Sequence, residues 1–167
     1  ASARFASIAD LSRERIRVVG AKLSGEGTPH QIDVGFRSLK VAGSSFRPVL
    51  RTPDTTDQVT LDILADNVGD ESSSMDLLFQ ILLDSGLDLS LPISTETVDG
   101  SFVYVVDEGA VIACLDEGIA MEVVREIARR CPLRAILRDA AFATDSEKIN
   151  VEQIFRELSP ATQVKVI

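Results

Sequence analysis

The chain is poor in the side chains that carry much of enzyme chemistry. It has a single histidine, His30, one tyrosine and no tryptophan. Its two cysteines, Cys114 and Cys131, form no C-x-x-C pair and no cluster with histidine, which excludes the common zinc and disulfide frameworks. They read as reduced, buried residues of a cytoplasmic protein. No serine, cysteine or acid is tied to His30 by spacing, so a nucleophilic triad has no support. Gly25-Glu26-Gly27 lacks the lysine and the following helix of a phosphate loop. Asp62, Asp66 and Asp70 recur every fourth residue, but they lack the closer oxygen spacing, glycine turn and closing glutamate of a calcium loop. They read as one solvated side of a helix, and no metal site is expected. There is no apolar run of about 18 residues to cross a membrane. The opening ASARFASIADLSRERIRVV has no basic-then-apolar signal pattern.

Also missing is positive charge in the middle of the chain. Residues 1–51 carry 9 basic and 4 acidic side chains, net +5. From Thr52 to Val124 there are 16 acidic residues and no Lys or Arg. From Arg125 to Ile167 there are 8 basic and 6 acidic residues, net +2, and the whole chain carries −9. Affinity for nucleic acid rests largely on Lys and Arg displacing counterions from phosphate. The middle block therefore cannot grip a phosphate backbone. It is either a solubilising face or a surface for a basic partner.

What is present is a globular chain of 167 residues, 45% hydrophobic and 26% charged, enough for one domain with an extra arm. Ser7 and Asp10 make a capping-box variant before a helix whose apolar stripe is Ile8, Leu11, Ile16, Val19 and Leu23. Ser24 to Pro29 ends it in a loop. Asp33 to Val41 reads as a strand. Val34 and Phe36 share one phase, Leu39 and Val41 the other, so a bulge near Ser38 or burial on both faces is expected. A weak helix is expected over Val59 to Asn67, and a linker over Gly69 to Ser74 whose third serine caps a helix from Met75 to Ser85, stopped by Gly86. That helix, MDLLFQILLDS, is apolar nearly all round. Burying Leu78, Phe79, Leu82 and Leu83 would stabilise by about 1.5–3 kcal/mol each.

A hairpin follows: strand Ser101 to Val106, turn Asp107-Glu108-Gly109, strand Ala110 to Leu115. Ala120 to Arg130 is a helix with Val123, Val124, Ile127 and Cys131 toward one face, ended by Pro132. Strand 133–138, helix 151–158 (capped by Asn150) and strand 163–167 close the chain. Two strand–helix–strand units in succession require parallel neighbours. The expected class is α/β: a small mixed sheet with an antiparallel hairpin and two strand–helix–strand units, preceded by a helix–strand arm. The domains are expected at 1–53 for the arm and 54–167 for the C-terminal α/β domain.

Two groups of residues are candidates for chemistry. Asp139 follows a strand end, where parallel sheets place their working residues, and Asp145, Lys148 and Asn150 share its loop. They read either as a ligand-contacting or general-base site, or as carboxylates that tie down the loop with Lys148 or Arg138 as ion partner. Arg13, Arg15, Arg17 and Lys22 lie on one helix and could touch phosphate. They read equally as a solvated basic face, or as ion partners of the acidic block.

The tail LRAILRDAAFATDSEKINVEQIFRELSPATQVKVI resembles the end of the methylation subunit of type III restriction-modification systems, which are DNA adenine methyltransferases. There the tail reads much like "RD(S/A)xF…D…KINVEQIFKxLSP…VKxI". SIADLSRERIRVVGAKL resembles that family's "TIADISKERIRRAGKKI" stretch, and VGFRSLKV its "GFRxFKL" strand. MDLLFQILLDSGLDLSLPI and FVYVVDEGAVIACLD resemble the leucine-rich helix and hairpin that follow. The order agrees throughout, and Pro48 to Asn67 matches least. The family's DPPY-type tetrapeptide and FxGxG loop are absent from these residues. The resemblance therefore implies a C-terminal fragment of an S-adenosylmethionine-dependent adenine-N6 DNA methyltransferase, with no catalytic or cofactor-binding residue of its own. Residues 1–41 would be the last helix and strand of the methyltransferase core. Implied partners are the rest of the methylation subunit, a second copy in a homodimer, the helicase-like restriction subunit, and DNA through the parent complex, with no membrane contact. The alternatives are a stand-alone acidic protein-binding module, or a small enzyme using the Asp139 loop.

Overall fold

In a computed structural model, residues 5–25, 33–46 and 73–167 are described. They divide into two units, one up to Ala42 and the other from Gly43. The expected helix over Val59–Asn67, the boundary at 53/54, His30 and the Asp62, Asp66 and Asp70 side chains lie outside the described residues.

The first unit is built on helix α1, Ile8–Gly25. Its start is as read: the Ser7 hydroxyl oxygen accepts the Asp10 N–H at 3.1 Å, satisfying one of the helix's free amides. An extended segment, residues 33–42, returns toward the helix. It is not the expected strand, and neither a strand nor a bulge forms there. A strand is stabilised by cross-strand pairing, and among the described residues of this unit there is no second strand to pair with. Contact between helix and segment is made at Gly20, where a Cβ would stand 3.2 Å from the Val34 Cβ. A larger residue at Gly20 would press on the Val34 side chain and push the segment out by a few tenths of an ångström.

The second unit is a mixed α/β fold of three layers. Its five strands are β1 (Ile93–Val98), β2 (Ser101–Val106), β3 (Val111–Cys114), β4 (Arg134–Leu137) and β5 (Gln163–Val166), ordered β1-β2-β3-β4-β5. β1–β2 and β2–β3 are antiparallel, and β3–β4 and β4–β5 are parallel. Crossover helices α3 (Met121–Arg129) and α4 (Asp145–Leu158) produce the parallel pairs. Both cover one face, where Val103, Ile112, Cys114, Ala135 and Leu137 meet Val123, Val124, Ile127, Val151 and Phe155. Helix α2 (Ser74–Asp84) covers the other, packing Leu77, Leu78, Ile81 and Leu82 on Tyr104, Val106, Val111, Ala113 and Ile136. β3 is thus buried on both faces, which is why VIAC is an unbroken apolar run.

Several local readings are corrected. Ser73, one residue earlier than expected, caps α2: its hydroxyl accepts the Asp76 N–H at 3.1 Å and the Asp76 carboxylate accepts the Ser73 N–H at 3.3 Å. The buried stripe of α2 includes Leu77 and Ile81, while Leu83 is 63% exposed, because one sheet face can cover only one side of a helix. α4 begins at Asp145, not 151. Thr144 caps it by accepting the Glu147 N–H at 3.3 Å, and Asn150 lies inside the helix. Cys131 is exposed: just past α3 it takes a left-handed conformation (φ 50°), which turns its side chain off the helix's apolar face. Strand β1, absent from the expected elements, pairs with β2 through the tight turn Asp99-Gly100, both at positive φ.

Candidate functional site

The parallel strands β3, β4 and β5 direct their C-terminal ends to one edge of the sheet, the position where open α/β sheets bind ligands. Asp139 sits there, two residues beyond β4, in a single 3-10 turn that leads into α4. Its N–H donates to the Ile167 carbonyl at 2.6 Å, tying the loop to the end of β5. Its carboxylate is held by Lys148 Nζ at 2.7 Å, and both side chains are about one-third exposed. Lys148 lies one turn into α4, so this ion pair fastens the start of the helix to the end of the strand. Asp145 is 3.9 Å from the same ammonium and almost fully exposed, and Asn150 faces outward farther along α4. The structure therefore brings Asp139, Asp145 and Lys148 together and leaves Asn150 apart. Beside them Arg138 reaches the Glu117 carboxylate at 3.2 Å.

This arrangement matches a fastened loop better than a reactive one. No cluster of metal-ligating side chains forms among the described residues.

The four basic residues of α1 do not make one patch. Arg13 pairs with Asp10 and also donates to the Ser38 hydroxyl at 3.0 Å; Arg17 lies 3.8 Å from Glu14. The Asp10 carboxyl is held below its ordinary pKa, first by the Ser7 hydroxyl and then by Arg13. Arg15 and Lys22 are seven residues apart, on the same side of the helix, and form no ion pair among the described residues. Arg15 also borders the unit's main feature, an open cavity of about 580 Å³ walled by Ile16, Val19, Leu23 and Val34.

That cavity belongs to a wider exposed apolar surface. Ile8, Leu11, Ile16, Val18, Val19 and Leu23 on α1, with Val34, Phe36, Leu39 and Val41 on the extended segment, are all exposed. Gly20 is the only buried residue described in this unit. Sequence periodicity marked the stripe but carried no information about whether anything covers it.

The described part of the acidic middle block is not a single face either. Glu96 pairs with Arg130 at 2.7 Å, Glu117 with Arg138 at 3.2 Å and Glu122 with Arg125 at 2.5 Å, so part of it is neutralised by the basic tail. Glu96, and after it Glu126, raise the Arg130 pKa above its ordinary value. The remaining described carboxylates are divided between α2 (Asp76, Asp84), the turn after it (Asp88), the two hairpin turns (Asp99, Asp107, Glu108) and the loop after β3 (Asp116). No helix among the described residues is long and apolar enough to cross a membrane. Comparison of the chain with protein-family models and with curated proteins gave no match in either.

Proposed function

We propose that the chain is the C-terminal region of the methylation subunit of a type III restriction-modification system, an S-adenosylmethionine-dependent adenine-N6 DNA methyltransferase, and that it serves dimerisation and subunit docking. The catalytic tetrapeptide and the cofactor loop belong to the rest of that subunit, and DNA is reached through the assembled complex.

The observation that carries this reading is the unpacked first unit. A helix with six exposed aliphatic residues and an extended segment with four exposed apolar residues are what a core's last helix and strand look like without the core. Covering the half-exposed Ile16, Val19, Leu23 and Val34 would contribute about 1 kcal/mol each. The ordered tail motifs add support, as does the ion pair with Lys148 that fastens the Asp139 loop.

The test is complementation. The chain is mixed with a methylation-subunit fragment that holds the catalytic tetrapeptide and cofactor loop but ends before the matching tail. The two should co-elute and transfer labelled methyl groups to adenine in DNA. Ile16→Asp combined with Leu23→Asp should abolish co-elution while leaving the melting of the free chain unchanged. A strict monomer that associates with no such fragment refutes the reading, as does methyl transfer by the chain alone.

A further inference from the structure

The two margins of the sheet differ. β5 is four residues long and carries Lys165 near its centre, a charge of the kind that blunts a strand edge. β1 has six residues, ISTETV, and contains no proline, lysine or arginine. Its register with β2 runs unbroken from Ile93↔Val106 to Val98↔Ser101, with no bulge. The two-residue turn makes Val98 and Ser101 a hydrogen-bonded pair, so Ser94, Glu96 and Val98 direct their amides toward β2. The Pro92 carbonyl, which accepts the Asp107 N–H at 3.0 Å, keeps the same phase. The N–H and C=O groups of Ile93, Thr95 and Thr97 therefore point away from the sheet, along an edge of about 20 Å, and no strand among the described residues pairs with them.

The charges beside this edge are unequal. Asp99 stands at one end and Asp107 and Glu108 at the other, and none of the three has an ion partner among the described residues. The nearby Arg125 and Arg129 of α3, and Arg130 just past it, are already held by Glu122, Glu126 and Glu96.

We propose that β1 is a docking edge that accepts an extended peptide segment of a partner protein as a further strand, the segment carrying Lys or Arg toward both ends. Main-chain hydrogen bonds from Ile93, Thr95 and Thr97 give the affinity, and the terminal carboxylates select a basic segment over an acidic one. This does not depend on the methyltransferase reading.

The probe is a fluorescein-labelled peptide of alternating valine and threonine bounded by lysines, titrated against the full chain by fluorescence anisotropy. Saturable binding that weakens with salt is expected. Thr95→Pro removes one outward amide at a position where an edge strand tolerates proline, and should weaken binding about tenfold with circular dichroism unchanged. The same peptide N-methylated along its pairing edge should fail to bind the unaltered chain, a control independent of how the variant folds. Asp99→Asn with Asp107→Asn should flatten the salt dependence. Equal binding of the N-methylated peptide, or equal binding of a glutamate-bounded peptide, overturns the proposal. So does a peptide that does not bind while the chain dimerises through β1 and Thr95→Pro breaks that dimer, since the occupant is then a second copy.

Discussion

Cys114 gives the fold a sharp alkaline limit. It lies in the middle of the sheet, fully buried, among Val103, Leu137 and the apolar face of α3 and α4. Burial pushes the thiol up from its ordinary value of 9.0 to about 11; the Asp116 N–H, which favours the thiolate, opposes this, and the Asp116 charge adds to it. Between those two values the unfolded chain loses the proton and the folded chain keeps it. Stability is thus fully present below pH 9 and falls as pH rises toward 11. The slope is about 1.4 kcal/mol per pH unit, so about 3 kcal/mol is lost across the interval. The comparison is with Cys114→Ala, which lacks the thiol and costs about 1 kcal/mol at neutral pH. Urea melts of both proteins from pH 8 to pH 11 should give stability curves that converge and then cross as the unaltered chain loses its advantage. Parallel curves would refute the reasoning. A thiol reagent at neutral pH should meanwhile modify Cys131 in the native chain and reach Cys114 only on unfolding.

Three further outcomes follow from packing and turns. Leu82→Ala should cost about 2–5 kcal/mol in denaturant melts, because its side chain is wholly buried under α2, whereas its neighbour Leu83→Ala should stay within about 0.5 kcal/mol. Gly100→Ala should cost about 1–2 kcal/mol from the backbone alone: φ is 86° and nothing lies within 4 Å of the added Cβ. Lys148→Ala should lower stability by less than about 1 kcal/mol, since its pair with Asp139 is partly exposed; a much larger loss in thermal melts would mean that the loop carries more of the fold than this geometry allows.

Caps and apolar runs were the legible parts of the sequence. Ser7 with Asp10, the hairpin from Ser101 to Leu115 and the two parallel units were readable because each is fixed by residues close in sequence. β1 was not, because ISTETV is a polar margin with little alternation; the Asp99-Gly100 pair between it and SFVYVV was the available signal. The start of α4 was obscured because its first turns, DSEKIN, are largely exposed and carry no apolar stripe. Thr144 with Glu147 three residues later was the cap to find. Segment 33–41 has the composition of a strand, yet composition does not supply a neighbour to pair with. The Asp139 loop was placed correctly at a strand end with Lys148 or Arg138 as its ion partner, and geometry chose Lys148 while giving Arg138 to Glu117.

The pairing of Glu96, Glu117 and Glu122 with Arg130, Arg138 and Arg125 also has a temporal side. A ribosome making this chain delivers every one of these carboxylates before any of the three guanidiniums. β1, β2 and β3 can form their meander as soon as they emerge, since those contacts are local. The nascent meander then has Glu96 on β1 and Glu117 in the loop after β3 without their counterions, while the outer neighbour of β3 has not been made. Only when residues 125–138 leave the exit tunnel do the counterions and β4 arrive together, so charge relief and closure of the sheet become one event late in synthesis.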